Sequence, residues 1–315
     1  MSHGASLSAA LAQANESFTR ECMQPCRTGH AHAGTTPVLL RHIVPPLLAA
    51  GIALNSTIDH DVYQFGVLLG NSMYRMRAGA FPQARMFGFD TFKGLPASSD
   101  EVELQHWHTG SMNVRHGVNW ILPILHHKLR GGRGSHMSVG PYSSTLKPEL
   151  GQREAMKPAA YVDIDCDLYD SSLLALDWMF NSSLIVPGTL IGYDDFWVMP
   201  CSGGPGGSYV REHPWRTGEW AAHTDIAHKY RVTFSCVAGL CREPTSLDPP
   251  TVTDLFYLIT PIFLVRSIGE AVDDGVHISK RTMGRIFDSH LGCLGHRNNT
   301  VSLKGSLHDK STATV

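Results

Sequence analysis

The sequence lacks the features that mark a membrane-spanning or nucleic-acid-binding protein. Its two longest apolar runs are residues 37–54, which charged and proline residues interrupt, and residues 255–265, which are too few to span a bilayer. Lys and Arg number 26 against 28 Asp and Glu, so the formal net charge is −2 and no overall field favours nucleic acid or an anionic membrane. We therefore expect a small-molecule partner, with no nucleic acid and no membrane.

Two further absences concern the location of the protein. Its 7 cysteines are scattered at positions 22, 26, 166, 201, 236, 241 and 293, without the dense spacing of a small disulfide-bonded domain. The N-terminus lacks both the charged-then-apolar layout of a signal peptide and the Arg-rich bias of a transit peptide. These absences favour a reducing compartment, and we expect the protein to be cytoplasmic.

The remaining composition is typical of a folded protein with one large domain. Of the 315 residues, 43% are hydrophobic and 17% are charged, a balance that argues against disorder and against a coiled coil. We predict an N-terminal extension over residues 1–36, one domain over residues 37–270, and a polar, partly disordered tail over residues 271–315. The composition leaves a homo-oligomer possible.

From Asp61 onward, short apolar segments alternate with segments of helical periodicity, which predicts a parallel sheet with crossover helices. Seven strands are predicted, at residues 61–66, 85–90, 135–139, 160–165, 188–193, 231–237 and 260–266. Helices are predicted near residues 37–51, 70–79, 115–129, 142–150, 170–182 and 216–229, the first of them bent or restarted at Pro45 and Pro46. This order indicates a doubly wound α/β domain with helices on both faces of the sheet.

The carboxyl ends of the strands are where such a sheet binds its ligands. After the first strand, Gly66 and Gly70 would let the backbone approach a ligand, although a tight strand-to-helix turn explains the two glycines equally well. Their Gly-x-x-x-Gly spacing is not the dinucleotide fingerprint Gly-x-Gly-x-x-Gly. The second strand ends at Asp90, where an acid is placed to accept hydrogen bonds from ribose hydroxyls.

Carboxylates are concentrated after two later strands. The segment 163–170 has acids at positions 163, 165, 167 and 170, and period-two geometry places the first three on one side while the segment stays extended. Asp194 and Asp195 end the next strand, so adjacent parallel strands would bring them close to Asp165. Converging carboxylates suit Mg²⁺ better than Zn²⁺. The alternative is helix N-capping by Asp170 and Asp195, with the other acids exposed.

These segments together resemble the macrocin O-methyltransferase family of class I, Mg²⁺-using, S-adenosylmethionine-dependent methyltransferases. The matching phrases, which fall within roughly residues 60–240, are Gln64-Phe65-Gly66, Gly88-Phe89-Asp90-Thr91-Phe92-Lys93-Gly94-Leu95-Pro96, Gly140-Pro141-Tyr142-Ser143-Ser144-Thr145-Leu146, Asp165-Cys166-Asp167-Leu168-Tyr169-Asp170-Ser171 and Asp194-Asp195-Phe196. The resemblance implies a Rossmann-like, seven-stranded class I methyltransferase sheet. It also implies methyl transfer to a hydroxyl of a small acceptor, such as a sugar or natural product.

The resemblance also implies roles for individual residues. Asp165, Asp194 and Asp195 would be the metal ligands, and Asp165 and Asp167 would be the catalytic residues. Asp167 would support the metal or accept a proton, although holding the loop is an equally good account of it. The cofactor-binding residues would be Gln64, Phe65, Gly66, Asn71, Ser72, Asp90, Thr91, Gly140, Pro141 and Tyr142.

Two residues depart from the family pattern. Gln64 stands where an acid is usual, so we expect weakened rather than abolished cofactor binding. Asp163 occupies a strand position that is more often apolar or His, and a buried carboxylate there needs a partner or a raised pKa. The loop at residues 201–207 is expected to cover substrate, and His106, His108 and His213 are the histidines nearest the expected acceptor side.

Two other functions remain open on the sequence alone. A protein with the same fold could bind the cofactor without turnover, but the complete set Asp165, Asp194 and Asp195 favours catalysis. A nicotinamide-dependent Rossmann enzyme is disfavoured because the Gly-x-Gly-x-x-Gly fingerprint is missing.

Overall fold

A computed structural model describes residues 35–56, 59–100, 103–104, 107–196, 217–239, 241 and 261–269. The predicted tail lies outside the described residues, as does the predicted extension apart from its last two residues. Among the described residues, no helix is both long and apolar enough to cross a bilayer.

One sheet of seven strands forms the centre of the fold. Its strands are β1 (Asp61–Phe65), β2 (Met86–Asp90), β3 (Ser135–Val139), β4 (Ala159–Ile164), β5 (Leu190–Tyr193), β6 (Val232–Ala238) and β7 (Ile262–Ile268). They lie in the order β3-β2-β1-β4-β5-β7-β6. The strand order steps outward from β1 in both directions, so β1 and β4 lie beside each other at the point where the direction of winding reverses.

The described helices follow the strands much as the sequence predicts. They are α1 (Thr35–Ala49), α2 (Asn71–Ala78), α3 (Val118–Lys128), α4 (Tyr142–Thr145), α5 (Leu150–Arg153), α6 (Tyr169–Asn181) and α7 (Gly218–Tyr230). One apolar cluster joins one face of the sheet to α1, α2 and α3, and a second joins the other face to α6 and α7. Successive strand residues alternate between the clusters, with Val62 in the first and Tyr63 in the second, as period-two geometry requires. The predicted Rossmann-like sheet with helices on both faces is confirmed.

Three local features differ from the sequence-based expectation. The strand β7 is antiparallel to both β5 and β6, whereas the sequence pattern predicts a parallel sheet. The helix predicted over residues 142–150 is instead α4 and α5, separated at Pro148, which disfavours helical backbone in the residue before it. Helix α1 runs through Pro45 and Pro46 without a restart.

A disulfide joins Cys236 on β6 to Cys241, with their Cα atoms 6.1 Å apart. This bond departs from the expectation that the scattered cysteines reflect a reducing compartment. Residues 236 and 241 are brought together by a bend at the end of β6, which the cysteine spacing alone does not reveal. A cytoplasmic location stays a prediction.

The amino ends of four adjacent strands meet at a single buried carboxylate, that of Asp61 at the start of β1. It accepts hydrogen bonds from Arg85 Nη2 at 2.5 Å, Arg133 Nη2 at 3.3 Å and the Lys157 N–H at 3.0 Å. Arg85 precedes β2, Arg133 precedes β3 and Lys157 precedes β4. Asp61 therefore fixes the sheet at the edge opposite to the strand ends that carry the predicted site.

Asp61→Asn should destabilise the fold, because it leaves two partly buried guanidinium groups with a neutral partner. Removing one member of a fully buried ion pair costs about 3–5 kcal/mol in the free energy of unfolding, and we expect a smaller loss here because both arginines are partly exposed to water. Denaturant unfolding followed by circular dichroism measures it. Asp59→Asn is the matched control, because the Asp59 side chain is 79% exposed and its ion pair with Lys157 Nζ is long, at 3.9 Å. Equal stability of the two variants would contradict the role of Asp61.

Candidate metal and cofactor site

Three carboxylates converge at the carboxyl edge of β4 and β5. Asp165, Asp194 and Asp195 each offer one oxygen, and these oxygens lie within 4.8 Å of one another. The backbone fixes the position of both turns, because the Asp165 N–H donates to Phe65 O at 2.9 Å and the Asp194 N–H donates to Ile164 O at 3.0 Å. The three predicted metal ligands are thus brought together, and each is partly exposed.

The electrostatics of this group fit a site that holds a cation. Burial, and next the neighbouring Asp194, raise the pKa of Asp165 well above its usual range. Burial, and next Asp195, raise the pKa of Asp194 to about 8. Without a counter-charge these groups are forced towards protonation, whereas a divalent cation would stabilise them as carboxylates.

Asp163 is buried, as its position within β4 requires, and it has a partner. The Tyr161 hydroxyl donates to Asp163 Oδ1 at 2.6 Å, and burial raises the pKa of Asp163 to about 7. Both parts of the expectation for this unusual strand carboxylate, a partner and a raised pKa, are therefore met.

The segment from Asp163 to Asp167 does not stay extended, so the predicted alternation is wrong beyond Asp165. Strand β4 ends at Ile164, and Asp167 has a positive φ of 63°. The resulting turn buries Asp167 and brings its carboxyl group into hydrogen-bonding contact with Asp195. The predicted catalytic role of Asp167 stays a prediction. Its contact with Asp195 also fits the other account of this residue, that it holds the loop.

Glu219 is the residue of the site that the sequence analysis missed. It lies in the first turn of α7, is fully buried, and accepts hydrogen bonds from the N–H groups of Cys166, Asp167 and Asp195 at 3.1–3.3 Å. The signal was present in the helix periodicity. Glu219 shares the buried face of α7 with Ala222, His223 and Ile226, and an acid on such a face requires donors.

The turn after β1 packs directly on the acidic turn after β4. A Cβ atom on Gly66, whose φ is +83°, would lie 1.7 Å from the carbonyl oxygen of Asp165. A Cβ atom on Gly70, whose φ is +66°, would lie 2.4 Å from Leu125 Cδ2. Packing against backbone therefore requires glycine at position 66, and the left-handed φ favours glycine at position 70, where Leu125 could shift. Both observations support the strand-to-helix turn as the explanation of the two glycines. The same packing places the predicted cofactor turn against the predicted metal site.

Gln64 connects these two turns. Its Nε2 donates to Gly66 O at 2.8 Å and lies 3.5 Å from Asp165 Oδ2, while its buried Oε1 has no hydrogen-bond partner among the described residues. Phe65, the next residue, has a fully buried side chain that stacks on Phe89 with ring centroids 4.6 Å apart. Any contact of Phe65 with a cofactor would have to use its backbone.

The carboxylate of Asp90 already accepts hydrogen bonds from the protein backbone. Its Oδ2 accepts the Val67 and Leu68 N–H groups at 2.7 Å each, and its Oδ1 accepts the Phe92 N–H at 2.6 Å. A carboxylate has about four acceptor positions, so one remains for a ribose hydroxyl. The Thr91 hydroxyl is occupied locally, donating to Gly94 O at 3.3 Å.

The remaining cofactor candidates lie at the same edge of the sheet. Tyr142 packs edge-on against Phe65 at 5.6 Å, and its hydroxyl donates to Phe89 O at 3.4 Å. Gly140 and Pro141 form the turn between β3 and α4. Asn71 and Ser72 begin α2, and the side-chain oxygen of Asn71 accepts a hydrogen bond from the Lys128 ammonium group.

Of the acceptor-side features, only His108 is described, and it is exposed. His106, His213 and the loop at residues 201–207 lie outside the described residues.

No protein-family model matches the chain. No curated protein sequence matches it significantly. Three of the solved structures to which its fold is similar are methyltransferases. The calicheamicin methyltransferase CalS11 is 17% identical, with a TM-score of 0.44 over 81% of this chain and 91% of that one.

The other two structures contain a cofactor or its product. An O-methyltransferase from Bacillus cereus in complex with SAH is 14% identical, with a TM-score of 0.43 over 82% of this chain and 91% of that one. TomG from Streptomyces achromogenes, an O-methyltransferase involved in tomaymycin synthesis and in complex with SAM, is 16% identical, with a TM-score of 0.43 over 82% and 90%. At these identities and TM-scores the likeness alone does not define an activity.

Gly66→Ala should destabilise the protein and separate the two turns. A methyl group 1.7 Å from a backbone oxygen forces the backbone to move, and overpacking of this kind costs about 1–3 kcal/mol or more. Thermal unfolding measures the loss. Gly110→Ala is the matched control, because Gly110 has nearly the same φ of +82° but no atom within 4 Å of the added Cβ. Equal shifts in the two variants would mean that φ strain alone explains Gly66.

Proposed function

We propose that the protein is a Mg²⁺-dependent, S-adenosylmethionine-dependent O-methyltransferase that acts on a hydroxyl of a small acceptor. One observation carries the proposal: three carboxylate oxygens from two neighbouring strand ends lie within 4.8 Å of one another, and the backbone carbonyl of Asp165 packs against the turn after β1. An edge of a doubly wound sheet where the strand order reverses is the usual place for a nucleotide-like ligand.

The donor set supports Mg²⁺ as the metal. Asp165, Asp194 and Asp195 would supply three oxygen ligands and leave positions open for water and a substrate oxygen, which is the coordination that Mg²⁺ prefers. None of the three offers the sulfur or imidazole ligands typical of zinc sites.

The cofactor pocket is supported by the contacts of two residues. Gln64 has a buried Oε1 that can accept a hydrogen bond from a donor on the ligand, and Asp90 retains one acceptor position at the neighbouring strand end. A buried acceptor without a partner costs free energy until a ligand satisfies it. The amide of Gln64 carries no charge, so the binding energy must come from hydrogen bonding and packing.

The chemistry divides between the metal and the protein. A bound Mg²⁺ would lower the pKa of a coordinated acceptor hydroxyl and orient it. Asp165, Asp194 and Asp195 would hold the ion, and the turn at Gly66 would hold the cofactor in line with it, so that proximity and orientation supply much of the rate. Asp167 would accept the hydroxyl proton or hold the turn, as the sequence analysis leaves open.

Calorimetric titration with S-adenosylmethionine, with and without Mg²⁺, tests the proposal most directly. We expect a measurable heat of cofactor binding, and a separate heat when Mg²⁺ is added alone. A parallel titration with a nicotinamide dinucleotide should give none. Absence of cofactor heat would refute the methyltransferase proposal, whereas cofactor binding without transfer to a panel of hydroxylated acceptors would favour a binding protein.

Asp194→Asn should selectively weaken the metal site. We expect Mg²⁺ affinity to fall at least about tenfold, since changes to groups that merely support a metal already cost that much. Affinity for S-adenosylmethionine should stay nearly unchanged, and Mg²⁺-dependent turnover should disappear. Asp59→Asn, which changes an exposed acid far from the site, is the control. Unchanged Mg²⁺ affinity in the Asp194 variant would remove this residue from the proposed ligands.

A further inference from the structure

Glu219 is a fully buried carboxyl group at this edge that the proposed chemistry does not use. Its two oxygens contact different turns. Oε1 accepts the N–H groups of Cys166 and Asp167, both at 3.3 Å, and Oε2 accepts the N–H group of Asp195 at 3.1 Å. The Glu219 carboxylate therefore bridges the turn after β4 and the turn after β5, which together carry every proposed metal ligand.

Helix α7 holds Glu219 at this position through contacts elsewhere along its length. Asp225 on α7 accepts a hydrogen bond from the Tyr169 hydroxyl of α6 at 2.7 Å. At the last residue of α7, the Tyr230 hydroxyl donates to Asp177 Oδ1 of α6 at 2.7 Å. Because α7 is attached to α6 at two points, its first turn cannot shift freely, and Glu219 presents a fixed acceptor to the two turns.

The turn after β4 needs such a fixed acceptor. Asp167 has a φ of +63°, a left-handed conformation that is uncommon outside glycine and is maintained only where surrounding contacts impose it. The bond from the Asp167 N–H to Glu219 is one of those contacts. Without it, the backbone that orients Asp165 would have fewer constraints.

We propose that Glu219 is a positioning residue that holds the two acidic turns at the spacing at which Asp165, Asp194 and Asp195 bind one divalent cation. The inference rests on the proposed function for the identity of the cation. The bridge between the turns depends only on the three hydrogen bonds.

Glu219→Gln is the sharpest substitution because it keeps the size of the side chain. A carboxylate can accept from both turns, whereas an amide has one accepting oxygen and one NH₂ group that only donates. The variant can satisfy one turn, but it places a donor against the N–H of the other. The two turns should therefore separate while the helix packing remains.

Mg²⁺ titration calorimetry on the full chain tests this inference. We expect Glu219→Gln to lower Mg²⁺ affinity about 10- to 100-fold, the range found for residues that support metal ligands. Its S-adenosylmethionine affinity should stay close to that of the unmodified protein. A purely structural role for Glu219 would reduce thermal stability without this selective loss of metal affinity.

Two control variants distinguish the loss of the Glu219 bridge from the loss of a negative charge near the metal ligands. Glu103→Gln removes another buried acid, which accepts the Tyr169 N–H at 2.7 Å and, among the described residues, has no hydrogen bond to the β5 turn. It should weaken Mg²⁺ binding less than Glu219→Gln does. Glu149→Gln removes an exposed acid at the start of α5 and should leave the affinity unchanged. Equal losses from the Glu103 and Glu219 variants would overturn the bridging inference in favour of a charge effect.

Amide hydrogen exchange in the unmodified protein gives a second test that does not depend on how well a variant folds. If Glu219 and the cation act on the same two turns, saturating Mg²⁺ should slow exchange of the Cys166, Asp167 and Asp195 N–H groups, because binding to the closed arrangement stabilises it. Unchanged exchange at these three amides, or Mg²⁺ affinity in Glu219→Gln equal to that of the unmodified protein, would overturn the inference. Failure of the unmodified protein to bind Mg²⁺ would instead overturn the proposed function.

Discussion

Crowding of like charge at one edge of the sheet is the constraint on which the site depends. Six acids lie at the carboxyl ends of β4 and β5 or reach them from α7, namely Asp163, Asp165, Asp167, Asp194, Asp195 and Glu219. Burial raises the pKa of all six, and repulsion between neighbouring acids raises the pKa of Asp165, Asp167, Asp194 and Glu219 further, so the charged forms are unfavourable without compensation. Hydrogen bonds from the Tyr161 hydroxyl to Asp163, and from three backbone N–H groups to Glu219, offset part of this cost. Of the other four, Asp167 is buried in contact with Asp195, and Asp165, Asp194 and Asp195 are the three that stay partly exposed.

The two edges of the sheet serve different purposes. At the amino edge, Asp61 is matched by two arginines and a backbone N–H, so its charge is fully satisfied and contributes to stability. At the carboxyl edge, carboxylates lie next to other carboxylates, and the oxygens of Asp165, Asp194 and Asp195 remain to bind ligands. Placing stabilising ion pairs at one edge and uncompensated acids at the other lets a rigid sheet support a strained and charged site.

Close packing between turns joins the cofactor and metal regions into one unit. The turn after β1 approaches the Asp165 carbonyl so closely that only glycine fits at position 66. The side-chain amide of Gln64 contacts both turns, at Gly66 O and at Asp165 Oδ2. Asp90 fastens the same turn from the other side through the Val67 and Leu68 N–H groups. A displacement of any of these residues would therefore shift both the turn after β1 and the proposed metal ligands.

The sequence by itself determined where the seven strands lie along the chain, the alternation of buried faces and the convergence of Asp165 with Asp194 and Asp195. Hydrophobic periodicity encodes the first two, and the parallel arrangement of adjacent strands implies the third. Only the tertiary structure decided the antiparallel entry of β7, the left-handed turn at Asp167 and the bridge from Glu219. These features depend on contacts between residues far apart in sequence, such as residues 167 and 219, and local patterns carry no information about which distant donors will meet a buried acid.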